Sequence, residues 1–311
     1  MAKDTQFNHI LKTPVHFTDQ YMKEFLKEAS FVFSITKPLG GFLFDITFTK
    51  KISLVGLVLI YKFLEYSVKN HSFYKPVCRI GHYVNNEITI NGFHDLIYAF
   101  IEQKKEQYDK LQFAKTNDMF IAPIALDRMD AEVANSLFAD KISQYYTYND
   151  TICSVVLQIL AEAASNFMGH AEEDTRSVLV ARGDKNKFQL CCADTGIGIV
   201  ESLRPIFKNT WPQLQDFQIL AKSIEKGITS EPEQTSGHMG SGLWIINNYV
   251  TSAKGELHIY SGDSYLKNKS GKINVGLAPH WKGTIISLTL PLNKPESFQA
   301  AINNMEKDFA L

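Results

Sequence analysis

Glu162, Asn166 and His170 stand at intervals of four in residues 151–170, TICSVVLQILAEAASNFMGH. At a helical step of about 100° per residue, Ile152, Val155, Val156, Ile159 and Ala163 share one stripe. The three polar residues form a column along one side of the same helix. Glu162 and Asn166 fall at the flank of the apolar stripe, half buried beside a core. A carboxylate and an amide in that position need partners, because burying them unpaired is costly. Taken alone, the stretch reads first as a core helix with a polar rim, since such groups mark sites only statistically.

Two later stretches change that weight. In residues 191–199, CCADTGIGI, a strand alternation of Phe188, Leu190 and Cys192 against Gln189 and Cys191 ends in Asp194-Thr195-Gly196-Ile197-Gly198. In residues 236–246, SGHMGSGLWII, Gly237, Gly240 and Gly242 lead into an apolar helix start. In order, Glu-x-x-x-Asn, Asp-x-Gly-x-Gly and Gly-x-x-Gly-x-Gly-Leu resemble the boxes of the GHKL ATP-binding superfamily. That superfamily covers gyrase, the ninety-kilodalton heat-shock chaperones, histidine kinases and mismatch-repair ATPases. The resemblance covers about half the chain, from near residue 140 to 292, and includes Gly283-Thr284 before a closing strand.

The resemblance implies a Bergerat-type two-layer α/β sandwich that binds ATP with Mg²⁺. Asp194, at a strand end, would accept a hydrogen bond from the adenine amino group. Gly196 and Gly198 let backbone approach base and sugar with no Cβ in the way, and Thr284 matches the family hydroxyl that reaches adenine through water. Gly237, Gly240, Ser241, Gly242 and Leu243 would offer backbone N–H groups to the phosphates, at a helix N-terminus whose dipole favours anions. No Gly-Lys-Ser/Thr follows, so this is not a Walker loop. Asn166 fits a Mg²⁺ ligand, a cation that takes oxygen ligands and bridges phosphates; His170 has no fixed role.

Glu162 decides the chemistry. In gyrase-like and chaperone-like members the glutamate at this position orients water; in anti-sigma-factor kinases it activates a serine hydroxyl. Either asks one placed carboxylate to act as base, because phosphoryl transfer needs mostly positioning and charge neutralisation. The expectation is slow Mg-ATP hydrolysis that controls a protein partner or the chain's own homodimerisation. A serine/threonine protein kinase acting on a STAS-like partner, and a non-catalytic nucleotide sensor, remain as alternatives. Residues 199–237 should close over the nucleotide as a lid; 223–230, SIEKGITS, resemble a stretch of STAS-partnered GHKL proteins.

The elements that must position these boxes belong to a chain of 311 residues, long enough for two domains. A 45% hydrophobic and 21% charged composition is that of an ordinary folded protein. Lys plus Arg, 32, nearly balances Asp plus Glu, 33, which argues against a general nucleic-acid or anionic-membrane binder. The first residues, MAKDTQFNHILKTP, lack the apolar centre of a secretory signal, and the longest apolar run, 52–60, is too short to span a membrane. Cys78, Cys153, Cys191 and Cys192 lack metal-ligand spacing and read as reduced. The expected location is the cytoplasm.

Toward the N-terminus, residues 31–36 and 42–48 read as strands, 57–68 as a helix, 76–81 and 88–90 as strands, and 93–107 as a helix. Strands alternating with helices imply an α/β layer architecture. Phe44-Asp45-Ile46, then Ile52-Ser53-Leu54-Val55-Gly56-Leu57, resembles a STAS domain, the anti-sigma-factor-antagonist fold. Where regulated STAS domains carry a phosphorylatable hydroxyl, this chain has Ser53, Leu54 and Val55, so phospho-switching is expected to be lost. His94-Asp95 reads as a surface or capping histidine. Residues 110–129 form the expected junction, giving a STAS-like domain over 1–118 and a GHKL domain over 119–311.

Overall fold

The computed structural model describes residues 9–34, 42–70, 77–102, 119–125, 131–170, 177–230 and 241–309. The N-terminal part opens with β1 (His9–Lys12), β2 (His16–Phe17) and the helices α1 (Met22–Ala29) and α2 (Phe31–Ser34). It continues through β3 (Phe42–Ile46), β4 (Lys51–Ile52), α3 (Leu54–Asn70), β5 (Val77–Ile80), α4 (His82–Ile90) and α5 (His94–Glu102). β1, β3 and β5 form a parallel sheet in the order β1-β3-β5, and β2 pairs with β4. α3 lies in the connection from β3 to β5 and supplies the crossover that these parallel neighbours require.

Every residue of α3 from Leu54 to Glu65 is buried. A helix that is apolar all round must be covered all round, and this one lies against strands of both sheets. Its two buried charges are paired: Lys62 donates to Glu65, 2.5 Å away, which offsets part of their desolvation. α3 starts three residues before the helix expected from the sequence and contains Gly56. A Cβ there would sit 2.7 Å from the Phe17 carbonyl oxygen, so the close approach of β2 accounts for the glycine.

The second sheet comprises β6 (Met119–Ala125), β7 (Val178–Gly183), β8 (Lys187–Ala193), β9 (Glu256–Lys269) and β10 (Lys272–Pro291). Its order is β6-β7-β8-β10-β9, antiparallel throughout. The helices of this half are α6 (Ala131–Tyr145), α7 (Asp150–His170), α8 (Gly198–Thr210), α9 (Asp216–Lys222), α10 (Gly242–Ser252) and α11 (Pro295–Phe309). Alternate residues of β7, β8, β9 and β10 feed two different cores. Leu179, Ala181, Leu190, Cys192, Ile286 and Leu288 face the helices. Val178, Val180, Cys191, Ala193, Tyr260, Trp281 and Ile285 pack instead with α1, α2 and α3. The helices and sheet make the expected two layers, and the N-terminal part covers the face that such a sandwich leaves open. Cys191 and Cys192 enter opposite cores, as adjacent strand residues must.

Three sequence readings are corrected. Residues 31–34, expected as a strand, form α2: they continue from α1 after Ser30, and Phe31 and Phe33 pack against Phe42 and Trp281. Residues 88–90, also expected as a strand, are the last turn of α4, where Val84 and Ile88, four apart, are the buried pair. His94 follows a turn rather than a strand; it stacks on Tyr98 at the start of α5 and is half exposed. No helix among the described residues is long and apolar enough to cross a membrane.

Candidate functional site

The site begins on α7. Asn149 caps it, its Oδ1 accepting the Ile152 N–H at 2.9 Å. Ile152, Val155, Val156, Ile159, Leu160, Ala163 and Phe167 anchor one face in the core. The polar flank carries Gln158, Glu162 and Asn166, each half buried. Gln158 is an addition to the column read from the sequence: the Tyr249 hydroxyl of α10 donates to its Oε1 at 2.5 Å. Burial first, and the nearby Glu162 and Glu306 carboxylates second, push the Tyr249 hydroxyl up to about 12, so it stays a proton donor. That bond ties the body of α10 to α7.

The N-terminus of α10 then lies against Glu162 and Asn166. A Cβ on Gly242 would stand 2.8 Å from Glu162 Oε2 and 3.0 Å from Asn166 Nδ2. A side chain here would require the tips of Glu162 and Asn166 to swing aside. Asn166 Nδ2 is buried and has no hydrogen-bond partner among the described residues. A buried orphan donor is costly, and here it sits at a helix N-terminus whose first N–H groups also lack intrahelical acceptors. An acceptor oxygen placed in this corner would satisfy these donors.

The opposite end of the site is Asp194, 4% exposed, just beyond β8. Its Oδ1 accepts the N–H of Gly196 at 2.7 Å and of Thr284 at 3.2 Å. Its own N–H donates to the Thr284 carbonyl at 2.9 Å. Its carbonyl accepts the indole N–H of Trp281 at 2.9 Å. Gly198 and Gly283 hold this crossing together, with φ of +79° and +92°. A Cβ on Gly198 would lie 2.7 Å from the Gly283 carbonyl oxygen, and one on Gly283 would lie 2.6 Å from that of Asp194.

Between the two ends is a cavity of about 260 Å³. Glu162, Asn166, Asp194, Gly198, Ser241, Gly242, Leu243 and Thr284, picked out from four separate stretches of sequence, all line it. Gly196 does not line it and acts through Asp194; Gly237 and Gly240 lie outside the described residues, as does the His170 side chain. Sequence reading missed a wall of hydroxyls, Ser202, Ser223, Thr229 and Ser230, with the Ser202 hydroxyl donating to Ser230 at 2.7 Å. It also missed the apolar wall of Ile199, Leu203, Ile228 and Ile286. No Lys or Arg is among these lining residues, so negative charge in the cavity would be met by backbone N–H groups, amide and hydroxyl donors, or a cation brought with the ligand.

The segment expected to act wholly as a lid is partly core. α8 and α9 contribute Val200, Leu203, Phe207, Ile219 and Leu220 to the interior. Residues 231–240 lie outside the described residues, so the remainder of that expectation falls there.

Residues 154–294 match the family described as histidine kinase-, DNA gyrase B-, and HSP90-like ATPase. The stretch therefore carries a GHKL-type ATP-binding domain, and the match spans the Glu162, Asp194, Gly242 and Thr284 neighbourhoods. The match leaves residues 1–153 uncovered. No curated protein matches the chain.

Proposed function

We propose that this protein binds Mg-ATP in the cavity between α7, α10 and the end of β8, and hydrolyses it slowly to control a partner or its own assembly. The observation that carries the reading is the seating of the α10 N-terminus, at Gly242, directly against Glu162 and Asn166. It brings anion-binding backbone, a carboxylate and an amide to one corner of a single cavity.

Asp194 accepts from the adenine amino group, its carboxylate oriented by the N–H groups of Gly196 and Thr284. Gly198, read from the sequence as making room for the base, instead lets β10 close at Gly283 against the turn after Asp194, and Thr284 supplies a hydroxyl near the base. Ser241, Gly242 and Leu243 donate backbone N–H groups to phosphate oxygens, with Gly237 and Gly240 assigned to the same loop. Asn166 would offer its Oδ1 as an oxygen ligand to Mg²⁺, while its orphaned Nδ2 would donate to a phosphate oxygen. When bound, Mg²⁺ supplies charge neutralisation at the phosphates. Glu162 takes the proton of the attacking nucleophile and orients it.

Labelled ATP added to the full chain, with and without candidate STAS-like proteins, tests the reading. Release of free phosphate supports hydrolysis. Transfer of label to protein would convert the reading to serine/threonine kinase chemistry, with the same Glu162 as base. Binding without either product would leave a sensor, and no binding would remove the site assignment.

For the N-terminal part we propose a STAS-like scaffold over 1–118 preceding an ATP-binding part over 119–311, acting in the cytoplasm. Support comes from the parallel β1-β3-β5 sheet with α3 as crossover; aliphatic Leu54 and Val55 depart from the phosphorylatable pattern, so the scaffold is proposed without phospho-switching.

A further inference from the structure

Trp281 is fully buried on β10, at the point where the pairing of β10 with β9 shifts register on both sides of it. A buried indole N–H needs an acceptor, and this one has the carbonyl oxygen of Asp194 at 2.9 Å. The same residue's N–H and carboxylate are bonded to Thr284, three residues further along β10. Asp194 is thus gripped by β10 at its peptide and at its side chain. The indole supplies the grip farthest from the cavity, which Trp281 does not line.

The indole also meets the N-terminal part. Phe33 of α2 stands edge-on to it, ring centroids 5.2 Å apart at 77°. Phe33 in turn packs edge-on against Tyr66 of α3 at 4.9 Å, and against His280 at 5.8 Å. An unbroken aromatic row, Tyr66–Phe33–Trp281, therefore leads from the helix buried between the two sheets to the backbone of Asp194. Edge-to-face ring pairs have a preferred geometry, so a shift of α2 moves the indole, and the indole carries a hydrogen bond that is strong in a dry interior.

We propose that Trp281 is a positioning residue for base recognition, and that Phe33 of the N-terminal part holds it in place. The inference rests on the reading of Asp194 as the acceptor for the adenine amino group. The indole N–H fixes the Asp194 peptide, and with it the direction in which the carboxylate meets the base. Because coupling between two equilibria is reciprocal, base binding strengthens the seating of α2 on the sheet as much as the seated α2 strengthens base binding.

The test compares ATP with inosine triphosphate, which carries a carbonyl in place of the amino group. Affinities of both, with Mg²⁺, are measured by calorimetry on the full chain for wild type, Trp281→Phe and Phe33→Leu, alongside thermal melts. Trp281→Phe keeps the ring and deletes the N–H; ATP affinity should fall about tenfold while inosine triphosphate affinity holds, collapsing the ratio between them. Phe33→Leu keeps the N–H and loses the ring contact, and should lower the same ratio by a smaller factor, about threefold. A merely structural role lowers both affinities together, and that result overturns the inference. Should Trp281→Phe fail to fold, Phe33→Leu decides alone, an unchanged ratio counting against the proposal. A wild type that does not prefer ATP overturns the Asp194 reading and the inference with it. A preference that survives in both variants overturns the inference only.

Discussion

Glu162 and Asn166 occupy the same helix flank four residues apart, yet the proposed chemistry asks different things of them. Asn166, with its orphaned Nδ2 against the α10 N-terminus, belongs to the bound state. Its replacement by alanine should weaken Mg-dependent ATP binding and turnover together. Glu162 acts on the nucleophile, so Glu162→Ala should bind ATP nearly as wild type while turnover falls by roughly 10²–10⁴-fold, the usual contribution of a placed general base. Phosphate release at saturating Mg-ATP, set beside calorimetric affinity, separates the two; a Glu162→Ala protein turning over at the wild-type rate removes that carboxylate from the mechanism. These residues were legible in the sequence because a four-residue interval on a helix is a local property. Trp281 was not, because its partner, the Asp194 carbonyl, lies 87 positions away. A tryptophan two residues before Gly283-Thr284 marks a buried donor without saying what receives it.

At the scale of elements, α7 and α10 form a clamp: Tyr249 bonds Gln158 at one end, and Gly242 approaches Glu162 and Asn166 at the other. A side chain at position 242 displaces the tips of Glu162 and Asn166 from the helix start. Because those tips and the N–H groups beside them are the ones assigned to Mg-ATP, Gly242→Val should lower Mg-ATP affinity by roughly tenfold to a hundredfold. The Tyr249–Gln158 bond should keep the helix docked and the melting temperature near that of wild type. Undiminished affinity in calorimetry would assign the glycine to packing alone. α7, β8 and α10 could be read from sequence because their periodicities are long and their ends carry glycine, aspartate or asparagine. α2 and the end of α4 could not: β-branched and aromatic residues favoured strands by propensity, and tertiary burial of Val32, Val84 and Ile88, with Phe31 and Phe33 packed against the same core, decided otherwise.

The molecule as a whole is layered around one antiparallel sheet buried on both faces. Val178, Val180, Cys191, Ala193, Tyr260, Trp281 and Ile285 are covered by the N-terminal part. At about 1.5–3 kcal/mol for each large side chain buried, this contact is worth on the order of 10 kcal/mol. That is comparable to the entire stability of a typical domain. Residues 119–311 expressed alone should therefore expose an apolar face and self-associate in light scattering, while the full chain melts in one transition; a monodisperse, stable fragment would show that the two parts need each other less than this contact implies.

The same contact contains a titrating group. His258 on β9 is 3% exposed, and its Nε2 stands 3.5 Å from Glu256 Oε2. Burial foremost, with Lys267 adding to it, holds its imidazole below the ordinary value of about 6.5, against the opposing pull of Asp19 and Glu256. Asp19 reaches this layer from the N-terminal part, where it accepts the hydroxyls of Ser287 and Ser53. A histidine whose folded value is depressed takes its proton first in the unfolded chain. Its contribution to stability is complete above about pH 6.5 and is lost as the pH falls through and below that value. Melting temperature should accordingly drop between pH 7 and pH 5 in wild type, and drop less in His258→Gln, which has nothing to titrate there. Matched slopes for the two proteins across that interval would show that acid acts elsewhere than on the seam between the N-terminal part and the sheet.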